Sequence, residues 1–353
     1  MSKHIVGIQQ IGVGVRNAKE AWKWYREQFG MDINVFEDTA VATLMLPHTD
    51  GKTCERYAAL AVNMEGGGGF EIWQHTGFES RPPHFDVQVG DTGIFICKLK
   101  CRNVPAAFAE HHRRGLDILG TLYSDPQEMK HYYVKDPYGN IFEVVHEDYH
   151  YKAQKSLTGG VVGAVIGVSD IDKALEVYTG ILEYDQVVYD KTGVFEDFAH
   201  LPGGDQRYRR VLLYHSAIRT GPFSRLLGPT QIELIQPLDR KPKKIFEGRI
   251  WGELGYIHLC FDILGMEHLE KECASKGYPF TVNSADSFDM GVAAGHFAYI
   301  EDPDGTLIEF VETHKLPIME KWGWYMNLKG RNPKKSLPNW MINTMAWKRV
   351  KDA

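Results

Sequence analysis

The sequence predicts an α+β fold built from four βαβββ modules, followed by an aromatic C-terminal tail. Three observations predict it. An alternating apolar strand leading into a short amphipathic helix recurs four times. Each recurrence closes on an apolar strand that carries a Glu at the same place. In two of them that strand leaves the same Asp-Pro-x-Gly turn. A length of 353 residues leaves room for more than one domain-sized core.

The first module opens on "IQQIGVGVRN" and runs into "AKEAWKWYREQFG"; its closing strand is "GGFEIWQH", with Glu71. The second opens on "IFICKLKCRN", runs into "VPAAFAEHHRRG" and closes on "NIFEVVHE", with Glu143. The third opens on "VVGAVIGVSD", runs into "IDKALEVYTGILEY" and closes on "TQIELIQP", with Glu233. The fourth opens on "GYIHLCFDILG", runs into "MEHLEKECASKG" and closes on "TLIEFVET", with Glu309. Asn17, Asn103, Asp170 and Gly265 open the helices as capping-type or flexible residues, and Gly30, Gly115 and Gly277 stop three of them. Counting seven residues back from the four openers makes Gln10, Ile96, Gly163 and His258 equivalent. Asp136 and Asp302 each stand seven residues before their Glu.

The stretch "GYIHLCFDI", residues 255–263, alternates as a half-buried strand. Tyr256, His258, Cys260 and Asp262 are expected on one face and Ile257, Leu259 and Phe261 on the other. The residues flanking each Glu are apolar, which places the four carboxylates opposite the helix-packing face, on the face of His258.

Charge and composition narrow the function classes. The net charge of −6 and the lack of a long basic run before the C-terminus argue against nucleic acid as a partner. No apolar run is long enough to span a bilayer, and the N-terminal stretch lacks the apolar core of a signal peptide, so a cytoplasmic protein without membrane partners is expected. Five cysteines without a C-x-x-C pair read as buried, reduced thiols. The glycine run at 65–70 lacks the Lys-Ser/Thr of a phosphate loop and reads as a flexible hairpin. Arg207, Arg209 and Arg210 read either as a solvated strand or as contacts for an anionic substrate.

Repeated βαβββ units, with a ligand-type residue on the first strand and Glu on the last, resemble the vicinal oxygen chelate superfamily over residues 5–315. That family includes glyoxalase I, methylmalonyl-CoA epimerase, extradiol dioxygenases and 4-hydroxyphenylpyruvate dioxygenase. The resemblance implies two cupped mixed sheets: an N-terminal domain of modules 1 and 2 (1–152), mainly structural, and a C-terminal domain of modules 3 and 4 (153–315) holding a metal. The tail is 316–353. It implies one divalent ion (Zn, Fe, Mn, Co or Ni) on His258, Glu309 and Glu233. Gln10 and Glu71 match ligand types found in glyoxalase I, but Ile96 offers nothing, and Glu71 and Glu143 both read as structural.

The reaction expected from this set is Lewis-acid isomerase, epimerase or lyase chemistry on a small substrate with neighbouring oxygens. Glu233 would be the base, Tyr299 a hydrogen-bond donor to developing charge, and His296 a proton-transfer group. The dioxygenases of the family use two histidines and one carboxylate, and the first histidine would fall at Gly163. Fe(II) oxygenation then requires another histidine, with His200, His215 and His296 as candidates. Oxygenation is one alternative, and a metal-free small-molecule binder is the other. Two cups in one chain allow a monomer as well as a homodimer. The tail carries four tryptophans and is expected to pack along a sheet, cover a cup or join a subunit interface.

Overall fold

The computed structural model describes residues 3–285, 288–289, 294–319, 324–328, 331–332 and 334–351. Module 1 comprises β1 (His4–Gly14), α1 (Ala18–Phe29), β2 (Ile33–Ala42), β3 (Cys54–Val62) and β4 (Gly69–His75). Module 2 comprises β5 (Gly93–Cys101), α2 (Val104–Arg113), β6 (Asp117–Ser124), β7 (Lys130–Lys135) and β8 (Ile141–His146). Module 3 comprises β9 (Val161–Gly167), α3 (Ile171–Tyr178), β10 (Gln186–Gly193), β11 (Tyr208–Tyr214), the short α4 (Ser224–Leu227) and β12 (Gln231–Pro237). Module 4 comprises β13 (Gly255–Leu264), α5 (Met266–Ser275), β14 (Val282–Asn283), β15 (Phe288–Asp289), β16 (Ala294–Glu301) and β17 (Leu307–Met319). The tail adds β18 (Trp324–Asn327) and α6 (Asn339–Asn343).

The expected helix starts are present. The side chains of Asn17, Asn103 and Asp170 accept hydrogen bonds from Glu20 N, Ala106 N and Asp172 N, which satisfies first-turn amides. Gly265 is left-handed and offers no side chain, so the Glu312 carboxylate accepts its amide instead, at 2.8 Å. The Asp-Pro-x-Gly turns are closed by their own Asp: Asp136 accepts from the amides of Tyr138 and Asn140, and Asp302 from those of Asp304 and Thr306. Each Asp also accepts from a buried tyrosine on the helix of the preceding module, Tyr25 at 2.7 Å and Tyr178 at 2.9 Å. The same tie therefore joins module 1 to module 2 and module 3 to module 4.

Within every module the first strand runs parallel to the last. Between modules the pairing departs from expectation. Modules 1 and 2 do not share a sheet, and neither do modules 3 and 4. β1 lies antiparallel to β13, so modules 1 and 4 build one ten-stranded sheet; β5 lies antiparallel to β9, so modules 2 and 3 build an eight-stranded one. Each sheet is a cup, called here the first and the second. Two 17-residue straps, 76–92 and 238–254, carry the chain between sheets. They are clasped to each other by Arg81–Glu253 (2.7 Å) and Arg240–Asp91 (2.5 Å). One apolar core draws on all four modules and all four long helices, with Tyr25, Phe29, Phe70, Phe142, Tyr178, Phe261 and Phe310 among its members. The two halves of the sequence thus share one core and interleave in both cups.

The five cysteines are free and buried, as expected. The glycine run is no flexible hairpin: Gly66 to Gly69 are buried, and Gly67 N and Gly68 N donate to Leu226 O and Val161 O at 2.8 and 2.7 Å. The tail packs along the first sheet. β18 pairs with β17, and Leu328, Leu337, Met341 and Ile342 pack with Ile33, Val62 and Met64. Trp340 and Trp347 remain 58% and 73% exposed, contrary to the burial that aromatic density suggested, while Trp322 lies outside the described residues.

Candidate metal centre

A β-bulge falls on the first strand of each module, and in three of the four it carries a side chain that can be aimed into the cup. On β1 the register slips between Ile8 and Gln10, so Gln9 and Gln10 together oppose one partner residue. On β13 the pairs Ile11↔Leu259 and Val13↔Tyr256 leave Ile257 and His258 opposite Gly12. Matching slips fall at Phe95–Ile96 on β5 and Val162–Gly163 on β9. The equivalence of Gln10, Ile96, Gly163 and His258 therefore has a structural basis, since bulges re-aim side chains. The bulge also corrects the simple alternation expected along 255–263. Tyr256 joins Leu259 and Phe261 in the core, and Ile257 turns into the cup beside Trp73 and Tyr299.

In the first cup His258 meets Glu309, as expected, with Nε2 3.1 Å from Oε2. The second carboxylate is Glu71, 3.2 Å from the same nitrogen. One ligand atom from each of the three lies within 4.8 Å of the others. Gln10 is 4% exposed and reaches the same cup from β1, whose neighbours in the sheet are β13 and β4. Gln10 Oε1, His258 Nε2 and Glu309 Oε2 are buried with no aligned hydrogen-bond partner. Tyr299 OH stands 3.5 Å from His258 Nδ1. Burial works to lower the imidazole pKa, but Glu309 and Glu71 override it and hold it at about 10. Two carboxylates face one imidazole, and among the described residues neither pairs with Lys or Arg. Buried charge of one sign is costly unless a counter-ion joins it, and the orphaned atoms are all oxygen or imidazole nitrogen, the donors a divalent ion takes. The residues present fit such an ion.

Gly12 makes this geometry possible. Its backbone is not left-handed, so space rather than conformation requires the glycine. A Cβ there would lie 2.6 Å from Cε1 of His258 and within 2.9 Å of both ring nitrogens.

Glu233 is not part of this centre. Module 3 pairs with module 2, so Glu233 lies in the second cup, where Lys98, Arg210 and Tyr189 hold its carboxylate at 2.6, 2.7 and 2.8 Å. Burial opposes its charge, but Arg210 and Lys98 keep its carboxyl well below the usual range. Glu71, from the half expected to be structural, takes the place expected for Glu233. His296 is also displaced. Its strand neighbours Ala298 and Ile300 belong to the core, and its Nε2 lies 2.6 Å from Asn283 Oδ1, on the face opposite Tyr299. His200 bonds Tyr123, and His215 packs tilted against Tyr184 with its Nε2 at Leu182 O, so neither supplies a second histidine. Gly163 is explained by close backbone approach, since a Cβ there would meet Gln231 O at 2.2 Å. The arginines offered for an anionic substrate are paired internally: Arg207 with Asp239, Arg209 with Asp190 and Asp172, and Arg210 with Asp197 and Glu233. Sequence reading missed Lys98, whose only signal was a basic residue among apolar neighbours on the first strand of module 2.

The comparisons agree with this architecture. Residues 7–144, modules 1 and 2, match the Glyoxalase/Bleomycin resistance protein/Dioxygenase superfamily model. No curated protein sequence matches the chain. Among solved structures, glyoxalase I from Zea mays superposes with a TM-score of 0.54 at 14% identity, over 88% of this chain and 92% of that one. A putative dioxygenase from Bacillus subtilis subsp. subtilis str. 168 superposes with a TM-score of 0.55 at 16% identity, over 88% of this chain and 86% of that one. At these identities the likeness is one of fold. No helix among the described residues is long and apolar enough to cross a membrane.

Proposed function

We propose that this chain, whose residues 7–144 match the Glyoxalase/Bleomycin resistance protein/Dioxygenase superfamily model and whose modules 3 and 4 repeat their strand order, is a divalent-metal-dependent isomerase-type enzyme of the vicinal oxygen chelate superfamily that moves a proton on a small substrate with neighbouring oxygens. The observation that carries the reading is the convergence of Glu71, His258 and Glu309 in the first cup, with the unpartnered amide oxygen of Gln10 buried on the neighbouring strand β1. Bound there, the ion (Zn, Fe, Mn, Co or Ni) would act as a Lewis acid that polarises a substrate carbonyl. The chain's own groups supply the rest. Tyr299 steadies the His258 ring from its Nδ1 side. Glu309 is the less exposed of the two carboxylates beside His258, at 9% against 12% for Glu71, and we assign it the proton transfer. Trp73, Trp251, Met45, Ile257 and Tyr299 line this cup with apolar surface that excludes water.

One histidine with an amide and two carboxylates is not the two-histidine, one-carboxylate set of Fe(II) oxygenases, so the donors favour proton transfer over oxygenation. All four come from one chain, so the site needs no second subunit. The test is metal content with a paired assay. Protein reconstituted with Zn²⁺ or Co²⁺ should hold one ion per chain, and His258→Ala should lose it while keeping its circular dichroism. Candidate 2-hydroxy- and 2-oxo-carbonyl substrates should take up solvent deuterium beside the carbonyl without consuming oxygen. A wild-type chain that takes up no ion would sink the reading, as would substrate-dependent oxygen uptake.

A further inference from the structure

The two cups answer the same problem of charge in different ways. In the second cup Glu143 and Glu233 occupy the last-strand positions held by Glu71 and Glu309 in the first. Lys98 projects from β5 at the position equivalent to Gly12, for each pairs with its module's Glu across the parallel ladder: Gly12 with Glu71, Lys98 with Glu143. Its Nζ lies 3.0 Å from Glu143 and 2.6 Å from Glu233. Around it, His131 Nδ1 approaches Glu143 at 2.7 Å, and Arg210 pairs with Asp197 and Glu233. Three carboxylates, Glu143, Glu233 and Asp197, thus face Lys98, Arg210 and His131, all of them buried. In the first cup glycine stands at Lys98's position, and no lysine or arginine reaches the carboxylates among the described residues.

We propose that the second cup is a latent divalent-metal site of Glu143 and Glu233, kept closed by the Lys98 ammonium, and that the residue at positions 12 and 98 decides which cup takes an ion. Lysine brings a tethered cation to the point between the carboxylates. Glycine brings none and clears the space that a histidine on the facing strand needs. The Gly12 half of this statement rests on the metal reading of the first cup; the Lys98 half does not.

The experiment measures ions per chain after equilibration with Co²⁺ and removal of free metal, together with the Co²⁺ d–d absorption band. Wild type should hold one ion, Lys98→Ala two, and Lys98→Arg, which keeps a cation in place, one. Adding Glu143→Gln to Lys98→Ala should return the count to one. Gly12→Ala should lower the wild-type count to none with circular dichroism unchanged. If Lys98→Ala does not fold alone, Co²⁺ should restore its cooperative melting. A folded Lys98→Ala that gains no ion at excess Co²⁺ overturns the proposal, and so does an unfolded one that no divalent ion rescues. If wild type holds no ion, the function proposed above fails, while a gain of one ion in Lys98→Ala still upholds the second-cup assignment.

Discussion

The charge network of the second cup makes stability depend on pH through His131. Its imidazole is 1% exposed and lies between Glu143 and Asp197, at 2.7 and 3.5 Å. Burial alone would lower its pKa, but the two carboxylates override burial and raise it to about 9. An imidazole free in an unfolded chain titrates near 6.5, so the folded state holds the proton more tightly by roughly 3 kcal/mol. The sign follows from linkage. Below about pH 6.5 both states are protonated and the whole contribution is present; it declines as pH rises and is gone above about pH 9. The perturbation is His131→Gln, which keeps polarity and loses the charge. In a chain of this size the deficit corresponds to a melting-temperature difference of roughly 5 °C. The assay is thermal unfolding of wild type and variant in matched buffers from pH 6 to pH 10, read as the difference between them so that other titrating groups cancel. The difference should be largest at pH 6 and shrink towards pH 10. A difference that is flat across this range, or that grows with pH, would refute the assignment of a protonated His131.

Further predictions follow from the division between the cups. Glu71→Gln should cost the chain its ion, whereas Glu233→Gln should keep it and lose stability instead, by about 3–5 kcal/mol, because Lys98 and Arg210 are left buried with one carboxylate fewer; metal content and chemical denaturation separate the two outcomes. Tyr178→Phe removes the hydroxyl that donates to buried Asp302 and should cost about 1–3 kcal/mol in urea unfolding, leaving metal content intact.

Much of this was legible because it is local. The four βαβββ units, the capping Asn17, Asn103 and Asp170, and the Asp-Pro-x-Gly turns are each specified within a short stretch of chain, where periodicity and turn chemistry act. The positions of Gln10, Ile96, Gly163 and His258 could be matched by counting, because every module repeats the same bulge before the same helix start. The bulge itself was not legible. Strict alternation along "GYIHLCFDI" placed Tyr256 on the side of His258, whereas the extra residue sends Tyr256 to the core. His296 was misassigned because a histidine near the end of a loop shows no face until its strand has a register, and its register with β17 places it beside core-facing Ala298 and Ile300.

By itself, the sequence determined which residue types stand at the matched positions of each module's first and last strands, and hence that His258 and Glu309 of one module would meet. Only the tertiary structure decided which other module completes the set. The edge of a first strand carries the same backbone donors and acceptors in all four copies, so nothing local separates β1 pairing with β5 from β1 pairing with β13. That choice belongs to the shared core, the two straps and the space left by Gly12. It exchanges Glu233 for Glu71, brings Gln10 from the far end of the chain to His258, and leaves Lys98 in the middle of the other cup.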